Sequence, residues 1–595
     1  MPKNRCRSLR RRKARRFRRA RHLRRAVATA AVVAVGGALM PPVIRGDGMW
    51  GLHCASAAQL SGAVDLIYDV GSTVPGVSFN GIAQGDDSGY SVSSAGDVNG
   101  DGVADVLVGA PRADPNGSSS GQAFLIYGQG TSASLQGTIE LSDVGTSVPG
   151  VRLNGISAFD FAGRSVSSAG DINGDGFDDV LISADWSDLD DPQSSAYAGQ
   201  AYLIYGQPAD APLSGTIELS TVGSTVGGVR FNGIDANDYA GRSVSAAGDV
   251  NGDGLGDLII GASSANASGQ SYLIYGQDVG TQLSGTLDLS SVGTSVSGVR
   301  FNGIAAYDNT GVSVASAGDV NGDGLGDLLI GANGASPNGD YSGQAFLIYG
   351  QDAGAPLSGT IELSDLGTTV AGARFNGIAA DDFAGVSIAS AGDVNGDGLD
   401  DLLIGAYGAS PNGVRSGQAY LIYGQDENNP LSGTIGLSAV GSTVAGTRFN
   451  GVAEFYDTGV SVSSAGDVND DGLVDLLIGA YGASPNGTSS GQVYLIYGQD
   501  AGAPLSGTIE LSAIGSTVAG AQLNGSFLDT AGISVSSAGD VNGDGVDDML
   551  IGANAAGTPI GIGSGQAYLI YGFPEPTTLG LLSVGALPLL RRRIR

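Results

Sequence analysis

Asp393-Val394-Asn395-Gly396-Asp397-Gly398-Leu399-Asp400-Asp401 puts oxygen-bearing side chains at positions 1, 3, 5 and 9 of a nine-residue loop and a glycine at position 6. A hard dication such as Ca²⁺ is held by such a set, together with the main-chain oxygen of position 7, and the glycine permits the sharp turn. The loop occurs seven times, opening at Asp97, Asp171, Asp249, Asp319, Asp393, Asp467 and Asp540, so that successive starts are nearly evenly spaced. So regular a period makes the chain a repeat protein, in which each copy buries its apolar surface against its neighbours.

The candidate ligands follow copy by copy. They are Asp97, Asn99, Asp101, Val103 and Asp105 in the first, and Asp171, Asn173, Asp175, Phe177 and Asp179 in the second. The third offers Asp249, Asn251, Asp253, Leu255 and Asp257, and the fourth Asp319, Asn321, Asp323, Leu325 and Asp327. The fifth offers Asp393, Asn395, Asp397, Leu399 and Asp401, and the sixth Asp467, Asn469, Asp471, Leu473 and Asp475. The seventh closes the set with Asp540, Asn542, Asp544, Val546 and Asp548. Position 7 is always apolar, as expected if its carbonyl binds metal while its side chain enters the core of its repeat. Three carboxylates in one loop repel one another without a cation, so binding of about seven Ca²⁺ ions is expected to be coupled to local order. The likeness to an EF-hand loop ends at these ligands. Glutamate is absent at position 12 and no helix flanks the loop, so the site is expected to hold structure and not to open as a sensor. A metal-free solvated turn accounts for one isolated motif, not for seven. In the sixth copy Asp470 replaces the glycine of position 4, and aspartate tolerates a left-handed backbone better than most residues.

Around the fifth loop, four segments read as strands: Gly385 to Gly392, Leu402 to Ala406, Gln418 to Gly424 and Gly433 to Ser438. They are short apolar or alternating runs bounded by Gly, Asn and Pro, and sustained helical periodicity is missing throughout the body. Four short strands repeated seven times predict an all-β fold, a seven-bladed β-propeller. The pattern resembles the FG-GAP repeat of integrin α-subunit propellers and their bacterial relatives. That resemblance rests on Phe161-Ala162-Gly163 and Phe383-Ala384-Gly385 before the first strand, on the acidic loop, and on Gly109-Ala110-Pro111 and Gly405-Ala406 after the second. It covers about residues 59–572. Only the first copy has the full Gly-Ala-Pro, and the second has Ser183-Ala184 in place of Gly-Ala.

The Gly-Thr-Ile-Glu-Leu segment runs out of step with the loops. It first stands at Gly62-Ala63-Val64-Asp65-Leu66, before the first loop, and last at Gly507-Thr508-Ile509-Glu510-Leu511, before the seventh. The N-terminal segment is thus an orphan strand and the last blade lacks one. Pairing it with Gln566 to Gly572 is expected to close the ring and remove two exposed edges.

Charge is segregated along the chain. Net charge is −31, yet residues 1–25 hold twelve Arg and two Lys and residues 591–595 hold four Arg, leaving about 57 acids against nine Arg in residues 58–573. A body this acidic repels nucleic acid and anionic lipid. Both cysteines, both histidines and both lysines lie between Lys3 and Cys54. Without that leader the body has no disulfide, no His or Cys metal site and no Ser-His-Asp, Cys-His or Schiff-base chemistry.

Arg-rich residues 1–25, the apolar run Ala26 to Met40 and Ala55-Ser56-Ala57 have the order of a secretory leader, assigned to residues 1–57. The propeller is assigned to 58–573. Residues 574–595 carry Pro574-Glu575-Pro576, an apolar stretch to Leu590 and the cluster Arg591-Arg592-Arg593-Ile594-Arg595. Fourteen helical residues reach only about 21 Å, short for a lasting membrane span, and terminal arginines resist translocation. The tail resembles the bacterial PEP-CTERM sorting signal, which implies transient membrane insertion, cutting by an exosortase-type enzyme and release to the cell surface or extracellular matrix.

The leading functional expectation is a Ca²⁺-stabilised binding or adhesion propeller whose inter-blade loops take a surface protein or a polysaccharide, since loops on a rigid scaffold carry recognition. The insert Asp185-Trp186-Ser187-Asp188-Leu189-Asp190-Asp191 is the most divergent of these loops and carries the body's one tryptophan, either a sugar-stacking or interface residue or a local filler. A carboxylate-dependent glycosidase is the first alternative, but no catalytic residue is assigned. Glu140, Glu218, Glu362 and Glu510 recur at one repeat position, as structural residues do. A purely structural surface-layer or biofilm component is the second.

Overall fold

The computed structural model describes residues 59–131, 133–188, 197–559 and 561–574. The leader and the tail beyond Pro574 lie outside the described residues. Seven five-stranded sheets, one per acidic loop, make up the described chain. In the fifth, Ile388–Gly392, Asp401–Ala406 and Gln418–Ile422 form an antiparallel meander, continued by Gly446–Asn450 and then by Gly507–Glu510 in parallel. Every residue of the second and third strands is buried, because both faces of the sheet are covered by the neighbouring blades. The first strand mixes buried and half-buried residues, since one of its flanks faces the axis. Residues from the first strands of all seven blades line one central cavity.

Each apolar cluster of the core spans a seam between two consecutive sheets. Leu403 and Leu421 of the fifth blade, for example, share a cluster with Val462, Leu476 and Ile478 of the sixth. A tyrosine hydroxyl after each third strand pins the chain that crosses between blades, as Tyr423 does by donating to the carbonyl of Leu505 at 2.8 Å.

Two expectations need correction. The fourth strand of the fifth blade is Gly446–Asn450, not Gly433 to Ser438; Gly433–Gly436 instead pairs in parallel with Gly372–Asn376, as the outer strand of the fourth sheet. Both segments favour extended backbone, but only Gly446 tolerates a close approach in which a Cβ would meet the Leu421 carbonyl oxygen at 2.1 Å. Its positive φ adds a second reason for glycine at this point. The outer strand is four residues long and half exposed, as suits an edge.

Ring closure moves accordingly. Gly76–Asn80, not Gly62 to Leu66, pairs with Gln566–Ile570 and completes the seventh sheet. Gly62–Asp65 pairs in parallel with Gly520–Asn524 and edges the sixth. Each repeat gives its outer strand to the preceding sheet, so the N-terminal segment fills two sheets in succession. Tyr497 of the sixth blade donates to the Leu60 carbonyl at 2.8 Å, where the other blades use a leucine from the next repeat.

Removing residues up to Gly71 is therefore expected to bare only the sixth sheet's edge, whereas removing them through Asn80 opens the seventh along Gln566–Ile570. The longer truncation should melt at a much lower temperature and become protease-sensitive around residues 534–570. Equal melting of the two would refute the closure. Phe79, fully buried, should cost about 3–5 kcal/mol on change to Ala in urea unfolding.

Candidate metal loops and the face opposite them

Within each loop the predicted oxygens hold the turn together. In the first copy the Asp101 N–H donates to Asp97 Oδ1 (3.0 Å) and Asn99 Oδ1 (2.9 Å), Gly102 N–H to Asp97 Oδ2 (2.8 Å), and Val103 N–H to Asp101 Oδ1 (3.0 Å). The sixth copy keeps this arrangement, with Asp470 holding the left-handed backbone that glycine supplies in the other copies. Asp101 is exposed and Asn99 buried, so the loop presents carboxylates to solvent over a buried floor.

That floor is position 9. Asp401 is fully buried and accepts from the Val394 N–H at 3.1 Å and the Gly424 N–H at 2.9 Å, tying the loop to the end of the third strand. Burial pushes the carboxyl of Asp105 up to about 8, the two N–H donors oppose this, and Asp101 and Asp97 add to it. Asp179, Asp327, Asp401, Asp475 and Asp548 stand likewise at about 8, and Asp257 at about 7.

Three carboxylates of one loop do not converge into a ready-made cluster among the described residues. The donor set nevertheless suits a hard dication. Asp319 Oδ1, Asp393 Oδ1 and Asn542 Oδ1 are buried without a hydrogen-bond partner, and they occupy positions 1 and 3 of their loops. Asp and Asn oxygens of this kind, with the carbonyl of position 7, are the ligands Ca²⁺ takes.

The loops are also joined to each other. Position 8 of one blade donates its N–H to the position 1 carbonyl of the preceding blade, as in Asp178 to Asp97 (3.1 Å) and Asp400 to Asp319 (3.1 Å). The circuit closes from Ala104 to Asp540 at 3.0 Å. Where position 8 is aspartate, its carboxylate returns a second bond: Asp319 N–H donates to Asp400 Oδ2 at 2.7 Å. Position 7 serves the same seam, which corrects its expected place in the blade core. Its side chain is half-buried in six copies and buried only at Val546. Leu399 covers the preceding loop at Gly322, where a Cβ would meet Leu399 Cδ2 at 2.8 Å.

The recurrent glutamates are structural in the same sense: Asn80 donates to Glu140 at 2.8 Å and Asn450 to Glu510 at 2.7 Å, linking fourth and outer strands.

The first strand enters each blade from the end opposite its acidic loop, and the loops at that end differ. Phe159, Tyr307, Tyr341, Phe455 and Phe527 are exposed there. In the second blade Asp185 is fully buried, with Oδ2 3.5 Å from both Arg164 Nε and an Arg242 terminal nitrogen. Burial pushes its pKa up against the pull of the two guanidiniums. Trp186 packs on Phe161 (5.1 Å), Tyr197 (5.0 Å) and Tyr239 (5.9 Å), so it consolidates an aromatic cluster. The paired arginines were not singled out from the sequence. The signal was present: two of the nine body arginines stand at the same repeat position, near the start of the first strand.

The FG-GAP repeat model matches residues 88–126, 162–204, 240–274, 310–348, 384–422, 458–496 and 531–571, which in each blade takes in the first three strands and the acidic loop. Integrin alpha-IIb of Mus musculus is 33% identical over 216 residues, 34% of this chain and 18% of that protein. Integrin alpha pat-2 of Caenorhabditis elegans is 28% identical over 257 residues, 41% of this chain and 18% of that one. The match to integrin alpha-4 of Xenopus laevis is 32% over 169 residues, 28% of this chain and 14% of that protein. The chain thus spans less than a fifth of the length of these relatives.

Replacing Asp401 by Ala is expected to leave the buried Gly424 N–H unpaired, while the Val394 N–H keeps a bond to the Gly392 carbonyl at 3.1 Å, and to cost about 1–3 kcal/mol. Amide hydrogen exchange should lose protection at Gly424. Unchanged protection there would show that the carboxylate does not hold the loop.

Proposed function

Seven FG-GAP repeats build this chain into one seven-bladed β-propeller, and from that premise we propose an exported, calcium-stabilised binding or adhesion module of the cell surface or its matrix. The observation that carries this reading is the contrast between the two ends of the propeller. One end repeats the same oxygen-rich loop seven times. The other varies from blade to blade and exposes aromatic side chains on a rigid base. Variable loops on an invariant scaffold suit recognition of a partner, a surface protein or a polysaccharide. The likeness to integrin α chains supports adhesion as the use of that recognition. Binding is favoured over glycoside hydrolysis because the repeated glutamates are engaged by asparagines between strands. A purely structural role in a surface layer would need the same scaffold but no partner on the varied face. A glycan array and a matrix pull-down divide the two readings: capture through the varied face supports recognition, and its absence favours the structural role.

In each loop the oxygens of positions 1, 3, 5 and 9 and the carbonyl of position 7 would hold Ca²⁺, which supplies positive charge where carboxylates crowd. Without it the buried position 9 carboxyls bind a proton more tightly in the folded than in the unfolded chain. Stability in chelator should then fall as pH rises from about 4 to about 8. Calcium should raise the melting temperature and flatten that dependence, since the folded loop binds metal better than the unfolded chain. Thermal scans at several pH values, with EDTA and with Ca²⁺, decide this. Identical curves would end the calcium reading.

Export through residues 1–57, transient membrane insertion of the tail and cutting near Pro574 by an exosortase-type enzyme complete the proposal. Among the described residues no helix is long and apolar enough to cross a membrane. Intact mass of extracellular protein should show both ends removed, and changing Glu575 or the terminal arginines should leave uncut protein in membranes. Recovery of an extracellular form that keeps Arg591 to Arg595 would count against the sorting signal.

A further inference from the structure

The central cavity has a volume of about 390 Å³ and is walled by the first strands of all seven blades. This lies at the small end of the roughly 300–1,000 Å³ typical of ligand pockets. Its walls are chemically lopsided. At one repeat position, where each first strand begins, blades one to three present Tyr90, Arg164 and Arg242, whereas the other four present Val312, Val386, Val460 and Ile533. The next position is serine in every blade, and each of these serines ties its blade to the following one. Three donate to a glycine carbonyl of the next blade, as Ser313 does to Gly385 at 2.8 Å. Four accept instead: Ser165 Oγ takes the Val244 N–H at 3.2 Å and Ser243 Oγ the Val314 N–H at 3.1 Å, and Ser387 and Ser534 do likewise. A hydroxyl that accepts from the seam keeps its own proton to donate elsewhere.

The cavity is therefore rich in donors. Each guanidinium carries five N–H groups, more in total than one carboxylate can accept. Asp185 balances one of the two positive charges and leaves a net charge of +1. It is fully buried, while Arg164 and Arg242 keep side-chain exposures of 22% and 31%, so the arginines, not the acid, meet a visitor. The Arg164 guanidinium carbon also lies 5.7 Å from the centre of the Tyr90 ring. That contact of cation with aromatic face holds the guanidinium at the rim. In a body this acidic, a polyanion is repelled and a single negative group is favoured.

We propose that the axial cavity binds one carboxylate-bearing sugar, a uronic acid, with its carboxylate between Arg164 and Arg242. Its hydroxyls meet the serine ring and its C–H face meets the valine and isoleucine wall. Planar, bidentate recognition of a carboxylate is the task to which arginine is best suited. A wall of hydroxyls opposite an aliphatic arc favours a polyhydroxylated acid over an acidic protein side chain, which would use the arginines alone. The inference rests on the reading of the propeller as a binding module and names one ligand class for it.

Calorimetric titration of the full chain with glucuronate, glucose and N-acetylglutamate tests it. Saturable one-to-one binding of glucuronate is expected, with glucose weaker by about tenfold or more, the scale of one lost charge-assisted hydrogen bond, and N-acetylglutamate weaker by about tenfold because it lacks the hydroxyls that meet the serine ring. Asp185→Asn removes the competing carboxylate and should tighten glucuronate binding several-fold, a gain that misfolding would not produce. Arg242→Gln in the Asp185→Asn background leaves no buried unpaired acid and should abolish the gain. Failure of glucuronate to bind, equal binding of glucose, or an affinity untouched by Asp185→Asn would overturn the proposal. Preference for N-acetylglutamate would overturn the sugar assignment in favour of a protein acid. Matrix capture through the exposed aromatic loops without glucuronate binding would sink this site alone and leave the binding-module reading standing.

Discussion

A buried carboxylate with two backbone N–H partners, placed at the ninth residue of every acidic loop, is the interaction on which the rest of the propeller depends. It holds the turn between the first two strands against the end of the third, so that each blade is braced at its base. The same loop then donates and accepts across the seam, blade to blade, until Ala104 meets Asp540 and the circuit is complete. A closed ring has no spare seam: a displaced loop shifts two interfaces at once. This accounts for the retention of one nine-residue pattern in every repeat while other segments drift.

The cost of the device is electrostatic. Desolvating a carboxylate beside two others disfavours its ionised form, and the upward pKa shifts at position 9 express this. A bound dication would offset the repulsion, and the oxygens without partners at positions 1 and 3 lie where one would act. At the opposite end nothing requires the blades to agree, and there they diverge. The second blade departs most, and its neighbour adapts to it. Ser183 stands where the other blades have glycine, and the first strand of the third blade starts early, at Ala240, with a register shift between Ala240 and Ser243. Gly241, at a position that is glycine in every blade, leaves room beside Ser183, whose Cβ would lie 3.2 Å from an added methyl.

The repeats, the all-β class, the blade number and the loop residues were legible in the sequence because each is a local property. Alternation, turn glycines and ligand spacing are all set within one short stretch of chain. The sequence also showed that the N-terminal segment belongs with the C-terminal end, since counting orphan strands needs no coordinates. Which strand goes where was not legible. Gly433–Gly436 and Gly446–Asn450 are both short, extended segments, and assigning one to its own blade and the other to the blade before is a matter of register and close approach.

By itself, then, the sequence determined a seven-bladed propeller with acidic loops and closure through its N-terminus, because local pattern and repeat count suffice for those. Only the tertiary structure decided that closure spans two sheets, that the position 7 side chain guards the seam instead of filling the core, and that Arg164 and Arg242 converge on Asp185. Each of these joins residues from different blades, and the distance between separate repeats is set by packing around the ring, which no single repeat encodes.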